Sequence, residues 1–192
     1  MESFYTIQGE GFHKGSASYF IRTGGCDVGC HWCDVKESWD VNSHPIISVE
    51  EIVKKSVGFS DCVVVTGGEP LMWNMNPLTK ALKKLGKKTH IETSGAYPLT
   101  GVWDWVCLSP KKAKLPIGDA YNHAHELKII IYNNHDFKFA EQQAEKENKN
   151  AILYLQPEWS KREEMMPLVV DFIKKNPKWK ISLQTHKYLN IP

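Results

Sequence analysis

The chain has 192 residues, 42 % of them hydrophobic and 24 % charged, an ordinary globular balance with enough length for one domain around a substantial core. Lysine and arginine outnumber aspartate and glutamate by only 24 to 22 and are scattered, so charge gives no argument for a nucleic-acid partner. No apolar run approaches the roughly 18 residues of a membrane span, and MESFYTIQGEGF lacks the basic-then-apolar order of a secretory signal.

In chain order, 16–23 (SASYFIRT) reads as a strand broken by Gly24-Gly25. Residues 48–57 read as a helix: Ser48 and Glu51 form a capping box, and Val49, Ile52, Val53 and Val57 share one face. The apolar, β-branched stretch 61–66 suits a buried parallel strand and ends on the Gly67-Gly68 turn. A helix over 76–85 follows, with Asn76 as cap, Pro77 in its first turn and Gly86 after its end. Further strands are expected at 88–93, 103–108, 126–132, 151–156 and 179–184. Helices are expected at 136–147 and 160–175, where Pro167 should kink the helix or mark its true start. Strands alternating with helices predict an α/β fold with a parallel sheet. Six or so units are too few for a closed eight-stranded barrel, which takes about 250 residues, so an open partial (βα)6-type barrel is expected as a single domain over 1–192. Ligands of such sheets sit at the carboxyl ends of the strands, where the polar motifs fall.

Five cysteines are present, three of them in the loop Cys26-Asp27-Val28-Gly29-Cys30-His31-Trp32-Cys33. Clustering of this kind points to metal binding or chemistry rather than to a disulfide framework. Thiolates are the usual ligands of iron–sulfur clusters, and three cysteines for four irons leave one iron open to a small molecule. Spacing alone also admits a zinc site completed by His31 or His44. Cys62 and Cys107 lie in strand candidates and read as structural. His123 and His125 sit in a polar loop and read as a satisfied or solvated pair, whereas His186 is placed to border a site.

Cys-x-x-x-Cys-x-x-Cys with an aromatic residue before the last cysteine resembles the signature of the radical S-adenosylmethionine superfamily, and Gly67-Gly68-Glu69-Pro70 resembles its second motif. Nearly the whole chain is similar to the 7-carboxy-7-deazaguanine synthase family. The matching motifs are FYTIQGEG at 4–11, FIRTGGC at 20–26, CHWCD at 30–34, TGGEP at 66–70, ETSG at 92–95, SPK at 109–111, LQPEW at 155–159 and the ending LQTHKYLNIP.

The resemblance implies roles. Cys26, Cys30 and Cys33 would hold a 4Fe–4S cluster, shielded by Trp32, and the open iron would take the amino and carboxylate groups of S-adenosylmethionine. Gly67, Gly68 and Glu69 would receive its ammonium group, and Ser94, Ser109, Lys111 and Gln156, with Pro110, Pro157, Glu158 and Trp159, would line the rest of its pocket. The implied substrate is 6-carboxy-5,6,7,8-tetrahydropterin. Ile7, Gln8, Gly9 and Glu10 would read its pterin edge, Arg22 would clamp its carboxylate, and Thr66 and the carboxylate of Pro192 would touch it.

The implied reaction is that of a carbon–nitrogen lyase in queuosine and deazapurine biosynthesis: hydrogen abstraction, ring contraction, return of the hydrogen and loss of ammonia. A flavodoxin or ferredoxin as reductant, a homodimer and a cytoplasmic setting go with it. Many relatives carry threonine after Cys-Asp and ligate magnesium with it, but here Cys33-Asp34 is followed by Val35, which has no side-chain oxygen for a hard cation, leaving only Asp34 or a backbone carbonyl to contribute. Two other functions share the cysteine triplet: a glycyl-radical-activating enzyme, and a non-catalytic iron–sulfur or zinc protein. QGEG and Arg22 argue against the first, and the missing fourth cysteine against a closed carrier cluster.

Overall fold

The computed structural model describes residues 2–147 and 150–192. Eight strands form one sheet in sequence order: β1 (Glu2–Ile7), β2 (Ala17–Thr23), β3 (Cys62–Gly67), β4 (Lys88–Thr93), β5 (Trp105–Leu108), β6 (Glu126–Ile131), β7 (Ile152–Pro157) and β8 (Trp179–Ile181). β2 to β8 are parallel, β1 runs antiparallel along β2, and β1 and β8 remain separate edges. The sheet is therefore an open partial barrel, and its seven parallel strands are the seven read from the sequence. The extra antiparallel strand was not expected, because ESFYTI carries no turn signal of its own.

Among the described residues six α-helices accompany the sheet: α1 (Val49–Ser56), α2 (Asn76–Lys84), α3 (Ala120–His123), α4 (His135–Ala144), α5 (Arg162–Lys175) and α6 (Thr185–Leu189). The β4–β5 crossover has none. Ser48 caps α1 by accepting from the Glu51 amide at 3.2 Å, as its capping box predicts. Val57 falls outside that helix and is exposed, because the chain turns at Gly58 with φ +86°. Asn76 is the first residue of α2 rather than its cap, and Asn74 accepts from the Asn76 amide instead. α5 begins at Arg162, five residues before Pro167, so Pro167 lies inside the helix and not at its start. The strand expected over 179–184 stops at Ile181, and the tail turns into α6.

Period-two alternation divides the strands cleanly. Outward residues Val63, Val65, Ile91 and Val106 pack against Val53 of α1 and Leu78 and Leu82 of α2. Leu127, Ile129, Leu153 and Leu155 pack against Ala140 of α4 and Met165 and Val169 of α5. Each such side chain stabilises the fold by about 1.5–3 kcal/mol through burial. The inward face is polar. Arg22 lies in register with Thr66, Glu92 with Cys107, Cys107 with Glu126, Lys128 with Tyr154, and Ile130 with Gln156.

An open, polar lumen needs a plug, and the β1–β2 loop supplies it. Gln8 accepts from the Gly15 amide and donates to the Ser16 carbonyl, both at 2.8 Å, closing residues 8–16 into a compact loop. Phe12 stacks on Trp105 with ring centroids 4.9 Å apart, and its amide donates to Glu126 at 2.8 Å. Gly11 adopts φ +63°, and a Cβ there would collide with the Glu126 carboxylate. Gly11→Ala should therefore lower stability by about 2 kcal/mol, some 4–8 °C in melting temperature, in a thermal melt. An unchanged melt would show that the loop is not wedged against β6.

Candidate active site

The plug forms the floor of a cavity lined by residues from both chain ends and from the carboxyl ends of the strands. Gln8 Nε2 donates to Glu92 Oε1 at 2.8 Å, and the Glu10 amide donates to Gln8 Oε1 at 3.1 Å. Lys128 Nζ lies 2.5 Å from Glu10 Oε2 and 2.7 Å from Glu92 Oε2, with its side chain 4 % exposed. Gln184 Nε2 donates to Glu10 Oε1 at 3.0 Å. Burial alone would raise the Glu10 carboxyl, but Lys128, helped by His186 and Gln184, brings it from an ordinary 4.5 to about 2. Burial opposes the Lys128 charge, yet its pKa is raised well above the ordinary value. Glu10 and Glu92 are the cause, because nearby Cys107 is itself held neutral by burial.

The tail encloses this floor. The Thr185 amide donates to the Gly9 carbonyl at 3.0 Å, and a Cβ on Gly9 would strike the His186 ring. Burial pushes His186 down from its ordinary 6.5, against the pull of Glu10. Lys187 Nζ lies 2.5 Å from Asp34 Oδ2, which ties α6 to the end of the cysteine loop.

The opposite wall is that loop. Its stem is stitched to the Gly67-Gly68 turn: the Gly68 amide donates to the Thr23 carbonyl at 3.0 Å and the Glu69 amide to the Gly25 carbonyl at 2.9 Å. A Cβ on Gly67 would collide with the Thr23 backbone, and one on Gly68 with Gly25, so both positions require glycine. Across the loop, Asp27 accepts from Tyr97 Oη at 2.6 Å and from Lys114 Nζ at 2.8 Å. Cys26, Cys30 and Cys33 are free thiols that all line the cavity, and burial raises the first two as thiols. Neither His31 nor His44 lines it. His31 meets the Tyr132 ring edge-on at 4.8 Å, and His44 Nε2 lies 2.8 Å from the Glu37 carbonyl. Among the described residues, no three His, Cys, Asp or Glu side chains are grouped to hold a single metal ion. A cubane makes a different demand, since each thiolate binds its own iron.

Most residues named from sequence line this one cavity: Ile7, Gln8, Gly9, Glu10, Arg22, Thr66, Gly67, Gly68, Glu69, Ser94, Ser109, Lys111, Gln156, Glu158, Trp159 and Pro192, with His186 beside them. Pro110 and Pro157 are buried but do not line it; Pro157, at the end of β7, follows the inward-facing Gln156 and is turned away by alternation. Glu69, 1 % exposed, accepts from the amides of Leu71 and Ser94 and the hydroxyls of Thr93 and Ser94, at 2.5–3.0 Å. Its carboxylate is thus already saturated by the chain. Arg22 Nη1 lies 3.0 Å from Glu2 Oε1, with its guanidinium over Phe4. The remaining cysteines and histidines are engaged elsewhere. Cys107 is buried, and Cys62 Sγ lies 3.5 Å from His90 Nδ1. His123 Nε2 contacts Asp119 at 3.0 Å, and His125 Nδ1 accepts from the Val106 amide at 3.0 Å.

The Radical SAM superfamily model matches residues 20–107. A 7-carboxy-7-deazaguanine synthase from Flavobacterium psychrophilum is 66 % identical over 192 residues, covering 100 % of this chain and 91 % of that protein. The chain belongs to the 7-carboxy-7-deazaguanine synthase family. A second member of the family, from Synechocystis sp., is 49 % identical over 99 % of this chain and 91 % of its own. The crystal structure of QueE from Escherichia coli superposes with a TM-score of 0.83 at 29 % identity, covering 96 % of this chain and 92 % of that one. As a member of this synthase family the chain is a catalytic radical S-adenosylmethionine enzyme, which sets aside the carrier, the zinc module and the activating enzyme. No helix among the described residues is long and apolar enough to cross a membrane.

Reasoning from sequence missed Lys128 and Glu92 as cavity residues and Lys187 as the partner of Asp34. Glu126-Leu127-Lys128-Ile129-Ile130 reads as a buried strand, and a lysine within it was the available signal: an ammonium on an inward strand position demands carboxylate partners. Since the folded Glu10 carboxyl lies below its ordinary value, the stabilisation it contributes is complete above 4.5 and is lost as the pH falls through about 2. The stability difference between the wild type and Glu10→Gln should hold steady above pH 4.5 and shrink on acidification, as read by denaturant unfolding. A difference that grows on acidification would contradict the pairing.

Proposed function

We propose that this chain converts 6-carboxy-5,6,7,8-tetrahydropterin to 7-carboxy-7-deazaguanine with loss of ammonia, the step its family contributes to queuosine biosynthesis. It would use a 4Fe–4S cluster on Cys26, Cys30 and Cys33 together with S-adenosylmethionine. The observation that carries this reading is that one cavity is lined both by the three thiols and by the Gln8, Glu10, Arg22 and Pro192 set. The residues fit the cluster: three soft donors share one wall with no histidine among them, backed by a turn that tolerates no side chain. When bound, the cluster and S-adenosylmethionine supply the radical chemistry, and the chain supplies binding, orientation and exclusion of water.

Each part then has a task. Because the Glu69 carboxylate is saturated, the Gly67–Glu69 motif offers the methionine ammonium its backbone, with the carboxylate holding that backbone rigid. Lys111 Nζ, at 2.6 Å from Ser109 Oγ and over the Trp32 ring, places an ammonium beside the cofactor wall. Gln8 and Glu10 rise from the floor as acceptors for the N–H edge of the pterin. Arg22 exchanges Glu2, a half-exposed partner, for the substrate carboxylate, a bidentate match that lysine does not make. A flavodoxin or ferredoxin delivers the electron.

The magnesium site of many relatives does not fit. Val35 lines the cavity without a side-chain oxygen, its carbonyl accepts from Ser38, and Asp34 Oδ2 is taken by Lys187 and Gln184. The test is anaerobic reconstitution with iron and sulfide, reduction, and addition of S-adenosylmethionine with the carboxypterin. The deazaguanine product should form with S-adenosylmethionine regenerated, and at a rate that EDTA leaves unchanged. No product would overturn the function, and activity abolished by EDTA and restored by magnesium would overturn the reading of Val35.

A further inference from the structure

Lys128 belongs to none of the motifs, yet it is the centre of the cavity floor. Four residues from three separate parts of the chain close a ring through it. The Gln8 amide donates to Glu92, Glu92 pairs with Lys128, Lys128 pairs with Glu10, and the Glu10 backbone returns to Gln8. Each carboxylate spends one oxygen on Lys128 and the other on a carboxamide, Gln184 for Glu10 and Gln8 for Glu92. The ring therefore fixes the position and direction of both acceptors, and both line the cavity.

The charge balance has a purpose too. Lys128 neutralises one of two carboxylates, leaving one negative charge facing the ligand. The other charged groups near the ring have partners of their own or are held toward neutrality. Burial holds Glu126, on the same strand, and Cys107, on β5, toward their neutral forms. Tyr154, in register on β7, is pushed up by burial and His186 is pushed down, while Lys111 Nζ is spent on Ser109 and Arg22 on Glu2. An apolar residue in the Lys128 position would be the cheaper way to fill a barrel core, since a buried ion pair rarely outperforms well-packed hydrophobic side chains in stability. We propose that Lys128 is a positioning residue for substrate recognition: by bridging Glu10 and Glu92 it holds them as a fixed pair of acceptors, one charge in excess, for a ligand edge made of adjacent N–H donors. The inference rests on the carboxypterin reading and deepens it, since it says which property of the ring system the enzyme selects.

Lys128→Met leaves two carboxylates facing each other without the bridge, so they come to share a proton as the pH falls toward neutrality. The variant is assayed as the reconstituted holoenzyme across pH, beside Lys128→Arg, which keeps the charge. Lys128→Met should lose about a hundredfold in kcat/KM near neutral pH, mostly through KM. Its acid limb should move upward, while S-adenosylmethionine binding stays within about twofold. Lys128→Arg should keep the wild-type acid limb whatever rate it loses. Should the methionine variant not fold, Lys128→Gln, which is neutral but retains N–H donors, is read in the same way. A wild-type KM and acid limb in the neutral variant would overturn the proposal. So would a loss that is equal at every pH and matched in S-adenosylmethionine binding, since that is the signature of a purely structural lysine. Absence of carboxypterin turnover in the unsubstituted enzyme would defeat the functional reading and this inference together, whereas wild-type turnover with an unresponsive Lys128 variant would defeat this inference alone.

Discussion

An ammonium group sits in the middle of the barrel, and the rest of the cavity is organised around keeping it there. A lysine that is almost wholly buried costs several kcal/mol unless it is paired and hydrogen-bonded. β6 places Lys128 on the inward face, β4 brings Glu92 across, and the β1–β2 loop must enter the lumen to deliver Glu10. That entry needs two glycines, one against His186 and one against Glu126, and it needs the tail to fold over the loop afterwards. Residues from both ends of the chain thus meet at one point, and the open side of an incomplete barrel is filled by the groups proposed to read the substrate.

The opposite wall works by close approach rather than by charge. The Gly67-Gly68 turn presses on Gly25 and Cys26 so tightly that no side chain fits, and two backbone hydrogen bonds lock the contact. Glu69 is the anchor behind the turn. It satisfies two amides and two hydroxyls, so its conservative replacement by glutamine would turn an all-acceptor group into one that presents N–H to N–H. The Glu69 carboxylate thus spends its acceptor positions on the scaffold around the turn. The proposed cofactor wall and substrate floor meet through Asp34, the residue after the last cysteine of the loop 26–33, which pairs with Lys187 of the tail.

Much of this was legible in the residues themselves. The capping box at Ser48, the glycine stop at Gly86 and the β-branched runs at 63–65 and 129–131 act locally, and they located α1, α2, β3 and β6. The motif residues, read by resemblance, fall together in one cavity apart from Pro110 and Pro157. What was not legible is non-local. β1 carries no alternation strong enough to announce a strand and owes its place to pairing with β2. α6 is five residues long and exists because its amide reaches Gly9 across the molecule. Lys128 lies within the strand expected at 126–132, and nothing local marks out its partners. Only the fold shows that its partners lie 118 and 36 residues away.

The central claim is that the β1–β2 loop and the tail form the substrate half of a single cavity whose other half holds the cofactor. Hydrogen exchange on the reconstituted enzyme, with S-adenosylmethionine present and carboxypterin then added, tests it most directly. Protection should rise together in the peptides spanning 8–12 and 184–191, which are far apart in sequence and joined only through the cavity floor. Protection confined to the cysteine loop, or arising on the outer helices, would contradict the account.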